Sequence, residues 1–159
     1  NKFHFAIHGM TAAEVIMRRA DATKPMMGLT SFKGGRIQSA DVTVAKNYLS
    51  EDEIASLNRV VDQYLSFAED QAARRIPMKM ADWITKLHGF LTLNDREILQ
   101  GAGKVTKKSA DDKALAEFEK FRIDQDRAFV SDFDRSAKAL LSRSTKLPRG
   151  RKRQEEPDR

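Results

Sequence analysis

Polar and charged side chains are concentrated between His8 and Asn47, where they could provide acid–base and phosphate-binding chemistry. Three of them are candidates for catalysis: His8, as a general acid or base, with Asp21 and Lys24. The candidates for ligand or phosphate binding are Thr11, Arg18, Arg19, Thr30, Lys33, Asp41, Lys46 and Asn47. Such groups favour irregular segments held by a rigid scaffold. This cluster therefore predicts an enzyme that acts on nucleic acid or a nucleotide.

The same residues also have a purely structural interpretation. Thr11 and Glu14 have the spacing of a capping box, in which each side chain bonds the backbone amide of the other residue. Asp41 can cap a short helix, and the lysines can be solvated surface residues. Both interpretations stay open on the sequence, because spacing alone does not show that polar groups converge.

Two further motifs resemble known chemistry but are incomplete. His4 and His8 are four residues apart and share one face, but a metal site needs a third ligand that no nearby motif supplies. Residues 101–104 look like part of a phosphate-binding loop, yet the full motif needs Gly in place of Ile98 and Ser or Thr in place of Val105. We therefore expect no metal, no other cofactor and no phosphate-binding loop of this type.

Apolar residues at helical spacing predict that an all-α bundle of about five or six helices positions these groups. Residues 3–7 alternate like a strand or, as we favour, form the last turn of a helix that Gly9 ends. Proline and several glycines predict an irregular segment over residues 24–39. Residues 94–97 either restart a helix or continue the one before. The other predicted helices cover Thr11 to Ala22, a short stretch up to Leu49, Ser50 to Arg75, Met80 to Leu91 and Ser109 to Leu140.

The composition fits a single domain with a basic tail. The chain has 159 residues, of which 40% are apolar and none is cysteine, so we expect one helical domain over residues 1–142 without disulfides. Residues 143–159 contain seven basic and three acidic residues, which contribute +4 to the net charge of +6, and predict a disordered tail. We expect a cytoplasmic protein without membrane contact, because no signal peptide or apolar span is present. A first residue other than Met predicts a fragment of a longer chain.

Several sequence segments are too specific to be explained by a helix-forming composition. They are HGxTAAEVI at 8–16, RADAxKPxMGLT at 19–30, DVxVAKNYL at 41–49, LNRVV at 57–61, ADW at 81–83, REIL at 96–99 and AGKV at 102–105, where x is any residue. These segments resemble the bacterial RhuM-type virulence proteins. The similarity spans residues 1–125 approximately, and later residues share with the family only helical character followed by a basic end.

The resemblance implies the C-terminal half of a longer protein whose N-terminal half is a winged-helix, DNA-binding module. It transfers no catalytic residues. We therefore expect a helical interaction module that forms a homodimer through the apolar face of its long C-terminal helix, within a virulence-associated protein of unknown biochemical activity. Nucleic acid is an expected partner through the N-terminal module and the basic tail. The alternative is the enzyme with His8, Asp21 and Lys24 at its centre.

Overall fold

The start and stop signals of the sequence divide the chain into helices joined by irregular segments. The computed structural model describes residues 1–128 and 132–144, and these residues contain helices but no β-strand. The helices are α1 (Lys2–His8), α2 (Ala12–Arg19), α3 (Ser39–Val42), α4 (Glu51–Ala73), α5 (Met80–Leu93), α6 (Lys107–Ala128) and α7 (Asp132–Ser144). The predicted all-α fold is confirmed, with seven α-helices in the described residues.

The chain divides into two units, residues 1–125 and residues 126–159. The described part of the second unit consists of the end of α6 and α7. The single domain expected over residues 1–142 stays a prediction. Beyond the end of α7, the predicted disordered basic tail lies outside the described residues.

The signals that begin α2 and α4 and end α1 act as predicted. Gly9 ends α1 in a left-handed conformation with a φ of 70°, so residues 2–8 form a helix rather than the alternative strand. The predicted capping boxes are present at Thr11 with Glu14 and at Ser50 with Glu53. Each box satisfies amides that the first helical turn leaves without partners, which determines where the helix begins.

The stretch after α5 differs from the prediction. α5 ends at Leu93, and residues 94–106 are irregular, whereas the sequence indicated a helix that restarts or continues there. The Asn94 side-chain amide donates to the Phe90 carbonyl at 2.8 Å, and Asp95 has a φ of 54°. A side chain that takes a last-turn carbonyl, followed by a left-handed residue, ends a helix.

α6 begins three residues before the predicted start, since its cap is Thr106 rather than Ser109. The Thr106 hydroxyl accepts a hydrogen bond from the Ser109 amide at 3.2 Å, so Thr106 caps the helix and Ser109 lies inside it. The predicted single helix up to Leu140 is described as α6 and α7, and residues 129–131 between them lie outside the described residues.

The larger core cluster lies where α2 meets residues 25–49 and α6. Its most deeply buried side chains, each at most 1% exposed, are Val15, Ile16, Ala20, Met27, Ile37, Val42, Tyr48, Leu49, Ala110 and Ala114. A smaller cluster joins Ala6 of α1, Val60 of α4 and Leu91 of α5. Because burial of apolar surface is the main favourable contribution to folding, these clusters hold α1 and α2 in place around the site described below.

Residues 25–49 bury several side chains despite an irregular backbone, because other side chains satisfy polar backbone groups of this segment. The Tyr48 hydroxyl donates to the Val42 carbonyl at 2.8 Å. The Gln125 side-chain amide of α6 accepts from the Ile37 amide at 2.9 Å and donates to the Ile37 carbonyl at 3.1 Å. A buried backbone group without a partner would cost about as much free energy as a lost hydrogen bond, and these contacts avoid that penalty.

Candidate functional site

α1, α2 and residues 98–105 enclose an open cleft of about 740 Å³, which we call the α1–α2 cleft. Its lining includes the apolar side chains of Phe5, Met10, Met17, Ile98 and Val105 and the charged side chains of Glu14, Arg18 and Lys104. Pockets for small molecules commonly measure about 300–1,000 Å³ and combine an apolar lining with few polar groups. The size and the lining of the α1–α2 cleft are therefore those of a small-molecule site.

The shape of this cleft depends on a glycine at position 103. Gly103 has a φ of 88°, and a Cβ added to it would lie 2.6 Å from Cγ2 of Thr11. Thr11 is fully buried at the start of α2 and has no room to retreat. Gly103 therefore lets the backbone of residues 98–105 lie directly against α2.

Glu14 fastens this loop to α2 with both of its carboxylate oxygens. Oε2 accepts from the Thr11 amide at 2.7 Å, and Oε1 accepts from the Lys104 amide at 2.8 Å. These two amides lower the pKa of Glu14 below its ordinary value, so its carboxylate is ionised at neutral pH. The sequence identified the cap but not the contact with Lys104, which is 90 residues away along the chain.

Two cationic side chains line the cleft without an ion pair among the described residues. The Arg18 guanidinium has the Met10 sulfur, at 3.9 Å, as its one hydrogen-bond partner there, and the Lys104 ammonium has none. Arg18 follows Glu14 by four residues, a spacing that commonly gives ion pairs on helices. Arg18 forms no such pair with Glu14, whose two oxygens each accept from a backbone amide. Arg18 was a predicted binding residue, and Lys104 joins it from the loop that failed the phosphate motif.

His8, a predicted catalytic residue, lies at the end of α1 against His4. Nε2 of His8 is 3.2 Å from Nδ1 of His4, and Nδ1 of His8 is buried without a hydrogen-bond partner among the described residues. Burial lowers the pKa of both rings, to about 4 for His4. Both histidines are therefore neutral at pH 7, and each nitrogen of His8 is either buried or engaged by His4.

Arg19 joins α2 to the start of α4 through a two-pronged ion pair. Its Nη1 and Nη2 donate to the Glu53 oxygens at 2.7 and 2.6 Å, and Nη1 also donates to the Tyr48 carbonyl at 2.7 Å. The hydrogen bonds from Arg19 lower the pKa of Glu53 to about 2. Arg19 was a predicted binding residue, and its guanidinium is occupied by contacts within the fold.

Asp21 and Lys24 lie together in the turn after α2. Asp21 Oδ1 accepts from the Thr23 amide at 3.0 Å and the Thr23 hydroxyl at 2.7 Å, and Asp21 Oδ2 lies 4.0 Å from Lys24 Nζ. No hydrogen bond or ion pair within residues 1–128 joins His8 to either of them, and none of the three lines the α1–α2 cleft. The structure thus brings Asp21 and Lys24 together without His8, and the enzyme built on all three stays a prediction.

The other predicted binding residues lie on or beside the irregular segment. The Thr30 hydroxyl bonds the Asn47 carbonyl at 3.0 Å, and Asn47 Nδ2 donates to the Asp41 carbonyl at 2.9 Å. The Asp41 carboxylate accepts from the amide that precedes α3, at 2.9 Å. Lys33 and Lys46 are exposed. Thr30, Asp41 and Asn47 therefore connect backbone segments, as the structural interpretation of the cluster indicated.

α4 and α5 pack against each other through aromatic rings. Neighbouring ring centroids are 5.5 to 6.4 Å apart in a cluster made of Phe3, Tyr64, Phe67, Trp83 and Phe90. The Tyr64 hydroxyl donates to the Trp83 carbonyl at 2.8 Å, which satisfies its polar end.

Beside these rings lies a second opening of about 300 Å³, the α4–α5 cleft, lined by Phe67, Lys86, Gly89, Phe90 and Leu93. Leu93 is 86% exposed. Gly89 precedes it by one helical turn, and a Cβ added to Gly89 would meet nothing within 4 Å. A protruding leucine and an open notch therefore adjoin on one face of α5. This pair was not identified from the sequence, because a glycine within a helical pattern indicates only a locally weaker helix.

The described residues contain neither a metal site nor a membrane-spanning helix. Within residues 1–128 and 132–144, no three histidine, aspartate or glutamate side chains are grouped so as to hold a metal ion. In the same part of the chain, no helix combines the length and apolar character needed to cross a bilayer.

Comparison with known families extends these observations. The family described as "Virulence protein RhuM family" matches residues 1–130. The chain belongs to this family. Membership in the RhuM family associates the chain with virulence, and it confirms the resemblance found in the sequence. No curated protein and no solved structure matches the RhuM-family chain. The matched residues include those that line both clefts, so both lie within the family region.

Proposed function

We propose that this RhuM-family chain is the helical pairing module of a bacterial, cytoplasmic, virulence-associated protein that binds DNA through a separate N-terminal module. The observation that carries the proposal is the α4–α5 cleft, where the exposed Leu93 adjoins the notch at Gly89. Apolar surface of this kind marks interaction sites on proteins, because its exposure to water is unfavourable.

A second copy of the chain fits this surface, because the protruding side chain and the notch lie on the same helix. In a dimer with two-fold symmetry each contact occurs twice, so Leu93 of each copy enters the notch at Gly89 of the other. Phe67 and Phe90 supply apolar walls for that leucine. Lys86, whose ammonium lies 5.7 Å from the centre of the Phe67 ring, stays at the rim, where charged groups are common in interfaces.

Pairing gives such a protein two DNA-binding modules in one particle. A linked pair binds two half-sites with an avidity that neither module has alone, and helix-turn-helix dimers use two-fold symmetry in this way. Residues 1–142 carry a net charge of only +2, against +4 for residues 143–159. DNA contact therefore comes from the N-terminal module, with non-specific support from the basic residues at the C-terminal end.

Sedimentation equilibrium over a wide range of protein concentration tests the pairing. We expect a reversible monomer–dimer equilibrium that Leu93→Ser weakens by at least about 100-fold, since burial of a leucine contributes about 1.5–3 kcal/mol and occurs twice in the dimer. Gly89→Leu fills the notch and weakens association as well. Met80→Ser is the matched control, because Met80 is 75% exposed on the same helix but does not line the cleft.

Two outcomes would contradict the proposal. A chain that stays monomeric at millimolar concentration does not pair. A dimer that tolerates both Leu93→Ser and Gly89→Leu pairs through another surface, and the expected alternative is the apolar face of α6, where Leu115 and Ile123 are 38% and 53% exposed. Leu115→Ser distinguishes that surface.

A further inference from the structure

We infer that the α1–α2 cleft binds a small amphipathic anion, whose apolar part lies on Met10 and Met17 and whose carboxylate or phosphate group is held by Arg18 and Lys104. This site is separate from the α4–α5 cleft, since the two share no lining residue. It does not depend on the pairing proposed above.

The charge of the cleft selects an anion. Arg18 and Lys104 each bring a positive charge and form no ion pair among the described residues. The Glu14 carboxylate accepts from two backbone amides, at 2.7 and 2.8 Å, and forms no ion pair with either cation among the described residues, so these three side chains leave the cleft with a net positive charge. An incoming carboxylate or phosphate gains two charged donors without having to displace an acidic side chain.

The apolar lining selects a ligand with a hydrocarbon part. Met10 and Met17 are flexible and polarisable, and methionines adapt to the outlines of varied apolar groups. Phe5 and Ile98 add further apolar surface to the cleft. A bare inorganic anion would leave this surface in water, so a molecule with both an apolar and an anionic end fits the cleft best.

The cleft is formed before any ligand arrives. Glu14 and Gly103 hold residues 98–105 against α2, and the Lys2 ammonium donates to the Leu99 carbonyl of the same loop at 3.4 Å. A site that needs little ordering on binding loses less free energy to conformational entropy.

The experiment follows the methyl resonances of the methionines in the chain while sodium octanoate is added. Met10 and Met17 report on the α1–α2 cleft, Met78 and Met80 report on the start of α5, and the buried Met27 reports on the core. We expect saturable shifts of Met10 and Met17 with no shift of Met78, Met80 or Met27.

Variants and companion probes identify the interactions. Arg18→Gln and Lys104→Gln are each expected to raise the dissociation constant of octanoate roughly tenfold, the typical loss of a charge-assisted hydrogen bond. Lys86→Gln removes a cation from the other cleft and is the matched control, expected to change nothing. Arg18 and Lys104 are exposed, so the core resonance of Met27 stays in place in both variants. Octyl phosphate against octanoate shows which head group the two cations prefer, and saturable binding of either supports the inference.

Three results would overturn the inference. The first is that octan-1-ol, which has the same hydrocarbon chain without the charge, binds as tightly as octanoate. The second is that the shifts appear at Met78 and Met80 instead of Met10 and Met17. The third is that neither octanoate nor octyl phosphate produces a saturable shift at millimolar concentration.

Discussion

In residues 25–49 and in the α4–α5 pair, the burial of apolar side chains does not follow the regularity of the backbone. Residues 25–49 contain only short turns of helix, yet Met27, Val42 and Leu49 are fully buried. α4 and α5 are long, regular helices, yet Met80 and Leu93 on α5 are 75% and 86% exposed.

The difference follows from where each region finds hydrogen-bond partners. A long helix satisfies its own backbone, so it can lie at the surface with one face unused. An irregular segment must borrow partners from side chains, as residues 25–49 do from Tyr48, Asn47 and Gln125. The irregular segment is buried at the positions where those side chains satisfy its backbone. The helices α4 and α5 keep exposed apolar surface that can pack against another molecule.

The largest effect is expected when the same substitution is made in both regions. Leu49→Ala leaves a cavity in the core and should lower the free energy of unfolding by about 2–5 kcal/mol. Leu93→Ala removes an exposed side chain and should lower it by less than about 0.5 kcal/mol. Urea denaturation, at a protein concentration where sedimentation shows the monomer, measures both. Equal losses would show that the two regions do not differ in packing.

A smaller effect is expected from the same change at two glycines. Gly103→Ala puts a Cβ against Thr11 at a φ of 88° and should cost about 1–3 kcal/mol of stability. Gly89→Ala adds a Cβ in open space inside a helix and should stabilise the chain by up to about 1 kcal/mol. Thermal unfolding of both variants gives the comparison, which a gain in stability from Gly103→Ala would refute.

The smallest effect concerns Arg19 of α2, which contacts both regions through the Tyr48 carbonyl and the Glu53 carboxylate. The pKa of Glu53 is about 2, below its ordinary 4.5, so its share of stability is present above pH 4.5 and lost as the pH falls towards 2. The pKa of His4 falls from 6.5 to about 4, so the unfolded chain takes up the proton first and stability declines between pH 6.5 and 4. Each contribution should be below about 1 kcal/mol, because both groups are partly solvated.

Urea midpoints at pH 7, 4.5 and 3 separate the two contributions. His4→Gln should reduce the loss between pH 7 and 4.5, and Glu53→Gln should reduce the further loss between pH 4.5 and 3. An unfolding midpoint that rises as the pH falls would contradict both signs.

Local features of the fold were predictable because their causes are local. The capping boxes at Thr11 and Ser50 and the end of α1 at Gly9 depend on residues three or four positions apart. The same locality explains the error after α5, since Asn94 and Asp95 end the helix through their own backbone and side-chain conformations, for which the apolar pattern carries no signal.

The candidate site was only partly predictable. Arg18 was among the predicted binding residues, but so were Arg19 and Asn47, which hold the fold together. Lys104 was set aside with an incomplete motif, and the face of α5 that carries Leu93 was not singled out. A charged residue reads the same in a sequence whether its partner is a ligand, a backbone amide or water.

The sequence by itself determined the all-α class, most helix boundaries and the family, because these depend on short-range residue spacing and on segments that resemble the family. Tertiary structure decided which polar side chains have partners within the fold and which line a cleft without an ion pair among the described residues. Arg18 forms no ion pair among the described residues, whereas Glu14 accepts from the Thr11 amide and, because Gly103 admits the loop, from the Lys104 amide. That contact joins residues 90 positions apart, and side chains brought together over such a distance are selected by packing rather than by pattern.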